Sequence, residues 1–144
     1  MFIELTRTPF FTDQIYKAFQ QFSEKAIEKI KKRIEQEKKK LKKEEDQILC
    51  KFCQNKITSM TQIINVNGQY RHTFTNPSGI SFQIGCFSSA NGCIVHGKPT
   101  LDFTWFDGFS WNFSLCSNCH AHLGWHYQSS ENINFFGLIL DHLV

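Results

Sequence analysis

No uninterrupted apolar run in the 144 residues approaches the ~20 needed to cross a bilayer. The opening residues, MFIELTRTPF, lack the basic start and long apolar stretch of a secretory signal. No membrane partner is expected, and a cytoplasmic protein is. Charge is scarce in one part of the chain. Residues 50–144 hold four Lys+Arg and four Asp+Glu, a net of zero, whereas residues 1–49 hold 12 of the 16 basic and 9 of the 13 acidic residues, a net of +3. A nucleic-acid partner is not expected either. The neutral part offers no basic patch, and the lysine runs of the charged part are interleaved with glutamates. Glycine and proline are absent between Asp13 and Gln47, so nothing there breaks a helix. Beyond Cys119 there is no further cysteine.

These contrasts divide the chain near Cys50 into an N-terminal charged helical segment, 1–49, and a second domain, 50–144, that holds all six cysteines and all three tryptophans. In the first, Thr12 or Asp13 after Pro9 is a candidate N-cap, and strong helix formers then run to about Gln47. Ile27, Ile30, Ile34, Leu41 and Ile48 fall near seven-residue spacing, but Glu37 and Glu44 occupy the alternate seam positions and degrade a coiled coil. Phe10, Phe11, Ile15, Phe19 and Phe22 form a second apolar patch at helical spacing. Self-association or docking of a protein partner through this helix is one reading. A solvated helix laced with charge pairs is the other.

The second domain carries two C-x-x-C pairs, Cys50–Cys53 and Cys116–Cys119, with 62 residues between Cys53 and Cys116. Four thiolates on two short turns suit one tetrahedral zinc ion, and a site filled by four protein ligands has no open position for catalytic water. Paired disulfides are the competing reading, but C-x-x-C bridges are strained and no export signal is present. Cys86 and Cys93 read as small buried apolar residues, and His120 or His122 as candidates to replace or orient a metal ligand. Between the pairs, turn signals such as Asn67-Gly68, Asn76-Pro77-Ser78-Gly79 and Gly97-Lys98-Pro99 separate short runs rich in β-branched and aromatic residues. ITSMTQIINV, QYRHTFT, ISFQIGCF, CIVH, LDFTWF and FSWNFSL, followed by HLGWHYQ and FFGLIL, read as antiparallel strands. The fold class expected is mainly β, closed at one end by zinc and preceded by a long helix.

Trp105 and Trp111 lie across a short turn, and Trp125 follows the second cysteine pair. If zinc draws those segments together, three indoles can meet on one face and grip a small flat ring. Packing of the same rings into a core is the plainer alternative.

Residues 50–144 resemble the CULT-domain family, the thalidomide-binding module of cereblon and its smaller relatives. The likeness runs through both C-x-x-C pairs, Asn76-Pro77-x-Gly79, Gly97-Lys98-Pro99-Thr100 and Trp105-Phe106-x-Gly108-Phe109-x-Trp111. It continues through His122-Leu123-Gly124-Trp125 and Phe136-Gly137-Leu138. It implies a β-tent of two small antiparallel sheets pinned by zinc, with Trp105, Trp111 and Trp125 as the walls of an aromatic cage for cyclic imides. It further implies that Asn76 and Pro77 lie beside the pocket, that Phe103 and Thr104 pair with the ligand through their backbone, and that Tyr127 closes the base. Ligands implied are glutarimides, uridine-like rings and C-terminal cyclic imides of damaged peptides. The chain departs from cereblon at Phe103, where a His is found, at Tyr127, where a Phe is found, and at Asp107, where Pro is usual. The 49 residues before Cys50 are too few for cereblon's other regions, so a ubiquitin-ligase receptor role is not implied. Two further readings stand beside an imide-binding module. One is a zinc-stabilised adaptor acting through its helix. The other is a relative of the B-type methionine sulfoxide reductases, which share the fold but need a catalytic cysteine after the second pair.

Overall fold

The computed structural model describes residues 9–144, with side chains from Thr12 onward. The opening residues and the side chains of Phe10 and Phe11, part of the apolar patch read above, lie outside the described residues. The chain divides into two compact units that meet between Glu45 and Asp46.

The first unit holds helix α1, Pro9–Glu45. The helix runs through Thr12 and Asp13, which are interior positions and not the cap expected from sequence. Lys17–Asp13, Lys32–Glu28 and Lys39–Glu35 pair across one turn at 2.9–3.2 Å, each acid N-terminal to its base. Every described side chain from Thr12 to Glu45 is exposed, including Phe19, Phe22, Ile30 and Ile34. No helix among the described residues is long and apolar enough to cross a membrane.

The second unit is mainly β. Strands β1 (Gln47–Leu49) and β2 (Lys56–Ser59) form a two-stranded antiparallel sheet. The other six are β3 (Arg71–Thr75), β4 (Ser81–Phe87), β5 (Cys93–Thr100), β6 (Phe109–Cys116), β7 (His122–Ser129) and β8 (Asn134–Ile139). They form one antiparallel sheet in the order β3-β4-β8-β7-β6-β5. Gln47, Ile48 and Leu49, assigned from sequence to the charged segment, pair here as a strand because Ser59, Thr58 and Lys56 lie opposite them.

The turn signals have the backbone their residues permit. Asn67 and Gly68 both adopt positive φ, +52° and +85°, the requirement of the tight hairpin turn that joins Val66 to Gln69. Asn76 caps the β3–β4 turn. Its Oδ1 accepts from Ile80 N at 2.9 Å and its carbonyl accepts from Gly79 N. The LDFTWF run is different. It is a loop, because Thr104 N turns back to Leu101 O at 3.2 Å and the Thr104 hydroxyl donates to Phe109 O at 2.7 Å. Those bonds spend the groups that a strand would offer to a neighbour.

Two buried clusters hold the unit. One, around Ile57, Phe87, Leu123 and Leu138, lies against Cys50 and Cys116. The other gathers Ile84, Phe106, Tyr127, Phe135 and Ile139 beneath Trp125, with Trp105 and Trp111 at its margin. The β7–β8 pairing depends on Gly124. A Cβ there would sit 2.1 Å from Gly137 O.

Candidate functional site

The cysteine pairs sit on two turns of the same construction. Cys50 N donates to Asn55 O, and Gln54 N donates back to Cys50 O, both at 2.8 Å. Cys116 N donates to Ala121 O, and His120 N donates back to Cys116 O, both at 2.9 Å. The residue four beyond each first cysteine, Gln54 or His120, takes positive φ, +64° and +60°. This repeated knuckle aims both thiols of a pair to one side. The four Sγ atoms lie within 4.8 Å of one another. Cys50 to Cys119 is 3.7 Å and Cys53 to Cys116 is 3.6 Å. A tetrahedron of sulfurs at ~2.3 Å from zinc has edges of about 3.8 Å, whereas a disulfide needs about 2.05 Å. The four thiols therefore fit one structural zinc ion, which would join β1, β2, β6 and β7 through the two turns.

The surroundings of this centre correct one expectation and add one residue. His120 is exposed and serves as the left-handed residue of its turn. His122 bonds through Nε2 to Gly124 O at 2.9 Å and lines the aromatic cleft instead. Asn55 was not anticipated. Its amide nitrogen lies 3.7 Å from Cys116 Sγ and 3.2 Å from Ser117 Oγ, a donor aimed at a sulfur that zinc would make anionic. Its place just after the first knuckle was the available clue. Cys86 is fully buried, and burial pushes its thiol up to about 12, which removes it as a ready nucleophile.

The second feature is a cleft of about 390 Å³ lined by Trp105, Trp111 and Trp125. Antiparallel register produces much of it. Trp111 faces Tyr127 and Phe113 faces Trp125 across β6 and β7, so these four rings project from one face of the hairpin. Trp105 arrives from the β5–β6 loop. It stacks on Phe74 at 5.0 Å and meets Trp125 edge to face at 4.8 Å. Phe82 closes the angle between them, 5.3 Å from Trp125 and 6.0 Å from Trp105. Trp111 donates its indole N–H to Asp102 O at 2.8 Å, which ties the loop to β6.

Asn76, Pro77, Phe103 and Tyr127 also line the cleft. Thr104 does not; its hydroxyl holds the loop closed through Phe109 O. Phe82, Phe113 and His122 line it as well and were not assigned to it from sequence. For Phe113 the signal was alternation with Trp111 along β6, readable only once the strand's face was known. His122 packs edge-on against Phe113 at 5.4 Å and Trp125 at 5.0 Å, and burial holds its imidazole below the ordinary value. Among the described residues, no Asp, Glu, Lys or Arg lines the cleft. Chemically, the site offers flat apolar walls, an amide at Asn76 and a neutral imidazole.

Residues 47–136 match the family model described as Yippee zinc-binding/DNA-binding/Mis18, centromere assembly. Among curated proteins the chain is similar to cereblon of Drosophila yakuba, 28% identical over 103 residues, which cover 67% of this chain and 18% of that protein. Cereblon of Drosophila melanogaster is 28% identical over 105 residues, again 67% of this chain and 18% of that protein. Cereblon of Danio rerio is 28% identical over 85 residues, 57% of this chain and 20% of that protein. The chain thus spans about a fifth of the length of the relatives it matches.

Proposed function

The chain belongs to the Yippee zinc-binding/DNA-binding/Mis18 family, and from that premise we propose that its cereblon-like domain binds a small, flat, neutral ring of the cyclic-imide type without transforming it. The observation that carries this reading is the convergence of three indoles on one uncharged cleft of about 390 Å³. Indole faces hold a planar ring by dispersion, and a dry aromatic lining makes an imide's hydrogen bonds count. A ring without the imide N–H would leave a buried acceptor unpaired, at about 1–3 kcal/mol. Catalysis is disfavoured by the metal's full set of four thiols and by the high, buried Cys86 thiol. Binding of DNA is disfavoured by the balanced charge of residues 50–144.

The test is calorimetric titration with glutarimide and with uridine, beside N-methylglutarimide as the control that lacks the imide N–H. Saturable binding of the first two and loss of the third is the expected result. No binding of any would overturn the proposal.

A second activity, docking of a protein partner or of another copy, is supported by the exposed apolar side chains of α1, Ile15, Phe19, Phe22, Ile27, Ile30 and Ile34. Glu37 and Glu44 interrupt the seven-residue seam, which confines such contact to the N-terminal two-thirds of the helix. Sedimentation of the full chain and of an Ile30→Lys variant tests self-association. A concentration-dependent dimer lost in the variant supports it, and a monomer throughout removes it.

A further inference from the structure

The apolar face of α1 is symmetric about its own middle. Ile15 and Ile34, Phe19 and Ile30, and Phe22 and Ile27 stand at equal distances on either side of one point between Glu24 and Lys25, as do Ser23 and Ala26. At 3.6 residues per turn these positions share one side of the helix. A second such helix laid against that side in the opposite direction brings the members of each pair level with one another. Every large apolar side chain then meets another. The two small residues meet at the centre and let the backbones approach. The Ser23 hydroxyl donates to Gln20 O at 3.2 Å within its own helix, so covering it strands no polar group. A patch that matches itself when reversed is what a two-fold interface requires, because the same surface serves both copies.

Area and charge point the same way. The six large side chains of these pairs are 47–74% exposed. With Tyr16 they present on the order of 800 Å² to solvent, about what one partner of a standard interface buries. Residues 12–28 hold three acidic and two basic residues, whereas residues 29–45 hold four acidic and nine basic. A parallel pair would lay the strongly basic half of one copy on the same half of the other. An antiparallel pair lays it on the slightly acidic half.

Resting on the docking reading of α1 above, we infer that its occupant is a second copy of this chain, bound antiparallel with the two-fold axis between Glu24 and Lys25. The C-terminal ends of the two helices then lie about 60 Å apart at ~1.5 Å per residue. The β units, which begin at Asp46, attach at opposite ends of the pair.

Two measurements on the full chain test this. First, chains with natural and with heavy nitrogen are mixed and treated with an amine-reactive cross-linker, and links between light and heavy copies are read by mass spectrometry. Links from Lys17 to Lys32 are expected. None is expected from Lys42 to Lys42, which the antiparallel pair holds about 50 Å apart. Second, sedimentation compares Phe19→Glu, Ile30→Lys and their equimolar mixture. Each variant alone should dimerise about a hundredfold more weakly, because a charge meets an apolar side chain at two levels. The mixture should recover the dimer. The new acid then faces the new base at one level, and the native Phe19–Ile30 level survives at the other. Both side chains are exposed in the single chain, and Glu and Lys are good helix formers, so the variants keep the helix, as circular dichroism reports. Links from Lys42 to Lys42 between copies, or a mixture no more associated than its components, overturn the inference and leave α1 a docking surface of another kind. A monomer at every concentration is a distinct result that removes self-association altogether.

Discussion

Replacing Trp105 with alanine is the most informative single perturbation of the cleft. This indole is a wall and only marginally part of the core. Its outer contacts are the stacked Phe74 ring and the edge of Trp125. A flat ligand covering about 60–80 Å² of the indole face would lose about 2 kcal/mol at ~25 cal/mol per Å². Loss of the aromatic pairing adds about 0.5–1.5 kcal/mol. The sum, about 2.5–3.5 kcal/mol, predicts a dissociation constant weaker by roughly 60- to 300-fold. Because the loop stays tied through Trp111 and Thr104, the domain should still fold and keep one zinc per chain. Trp125→Ala is less clean. Trp125 is buried, and its truncation costs about 3–5 kcal/mol of stability along with any binding. The assay is calorimetric titration with glutarimide, with zinc and far-ultraviolet circular dichroism measured on the same sample. Native affinity in folded, zinc-loaded Trp105→Ala would refute the argument that this indole grips the ligand.

Other expected outcomes follow from the same structure. Removing zinc with a strong chelator should unfold residues 46–144 while the helical signal of α1 persists, because metal affinity in such sites is coupled to folding; retention of β structure without metal would contradict a structural role. Gly124→Ala should prevent stable folding, since its Cβ would overlap Gly137 O, and a soluble variant with native melting would show that β7 and β8 can separate cheaply. His120→Gly should keep its zinc and melt no lower than the parent, because glycine relieves the left-handed residue of the knuckle; loss of zinc would restore His120 as a ligand. Burial lowers the pKa of His122 and His126, so the unfolded state binds more protons, and stability falls as the pH drops below about 6.5. The slope of melting temperature between pH 7 and pH 5.5, with zinc content followed alongside, should flatten in His126→Phe.

Features with a local code were legible from the sequence. A C-x-x-C pair needs only one turn to converge on a metal, and the four cysteines lie together as their spacing requires. Asn67-Gly68 and the Asn76 turn were equally readable because φ preference is set by the residue itself. The mainly β class followed from strand-length runs between such turns, and the two sheets from the family resemblance. What could not be read depended on partners distant in sequence. LDFTWF alternates like a strand but becomes a loop once Thr104 and Trp111 capture its carbonyls and those of its neighbours. Phe82, Phe113 and His122 reach the cleft only through the registers of β4, β6 and β7. Asn55 gains meaning from a cysteine 61 positions away. That Thr12 and Asp13 lie inside the helix was not readable, because both residue types are also good caps.

If the reading of the site is right, the uncharged cleft between the indoles accepts a planar imide. The most direct test is a fluorescence titration of the zinc-loaded chain with glutarimide, read on the tryptophans. Saturable quenching at one site per chain is predicted, competed by uridine and absent with N-methylglutarimide. An emission spectrum that does not change up to millimolar ligand would contradict it.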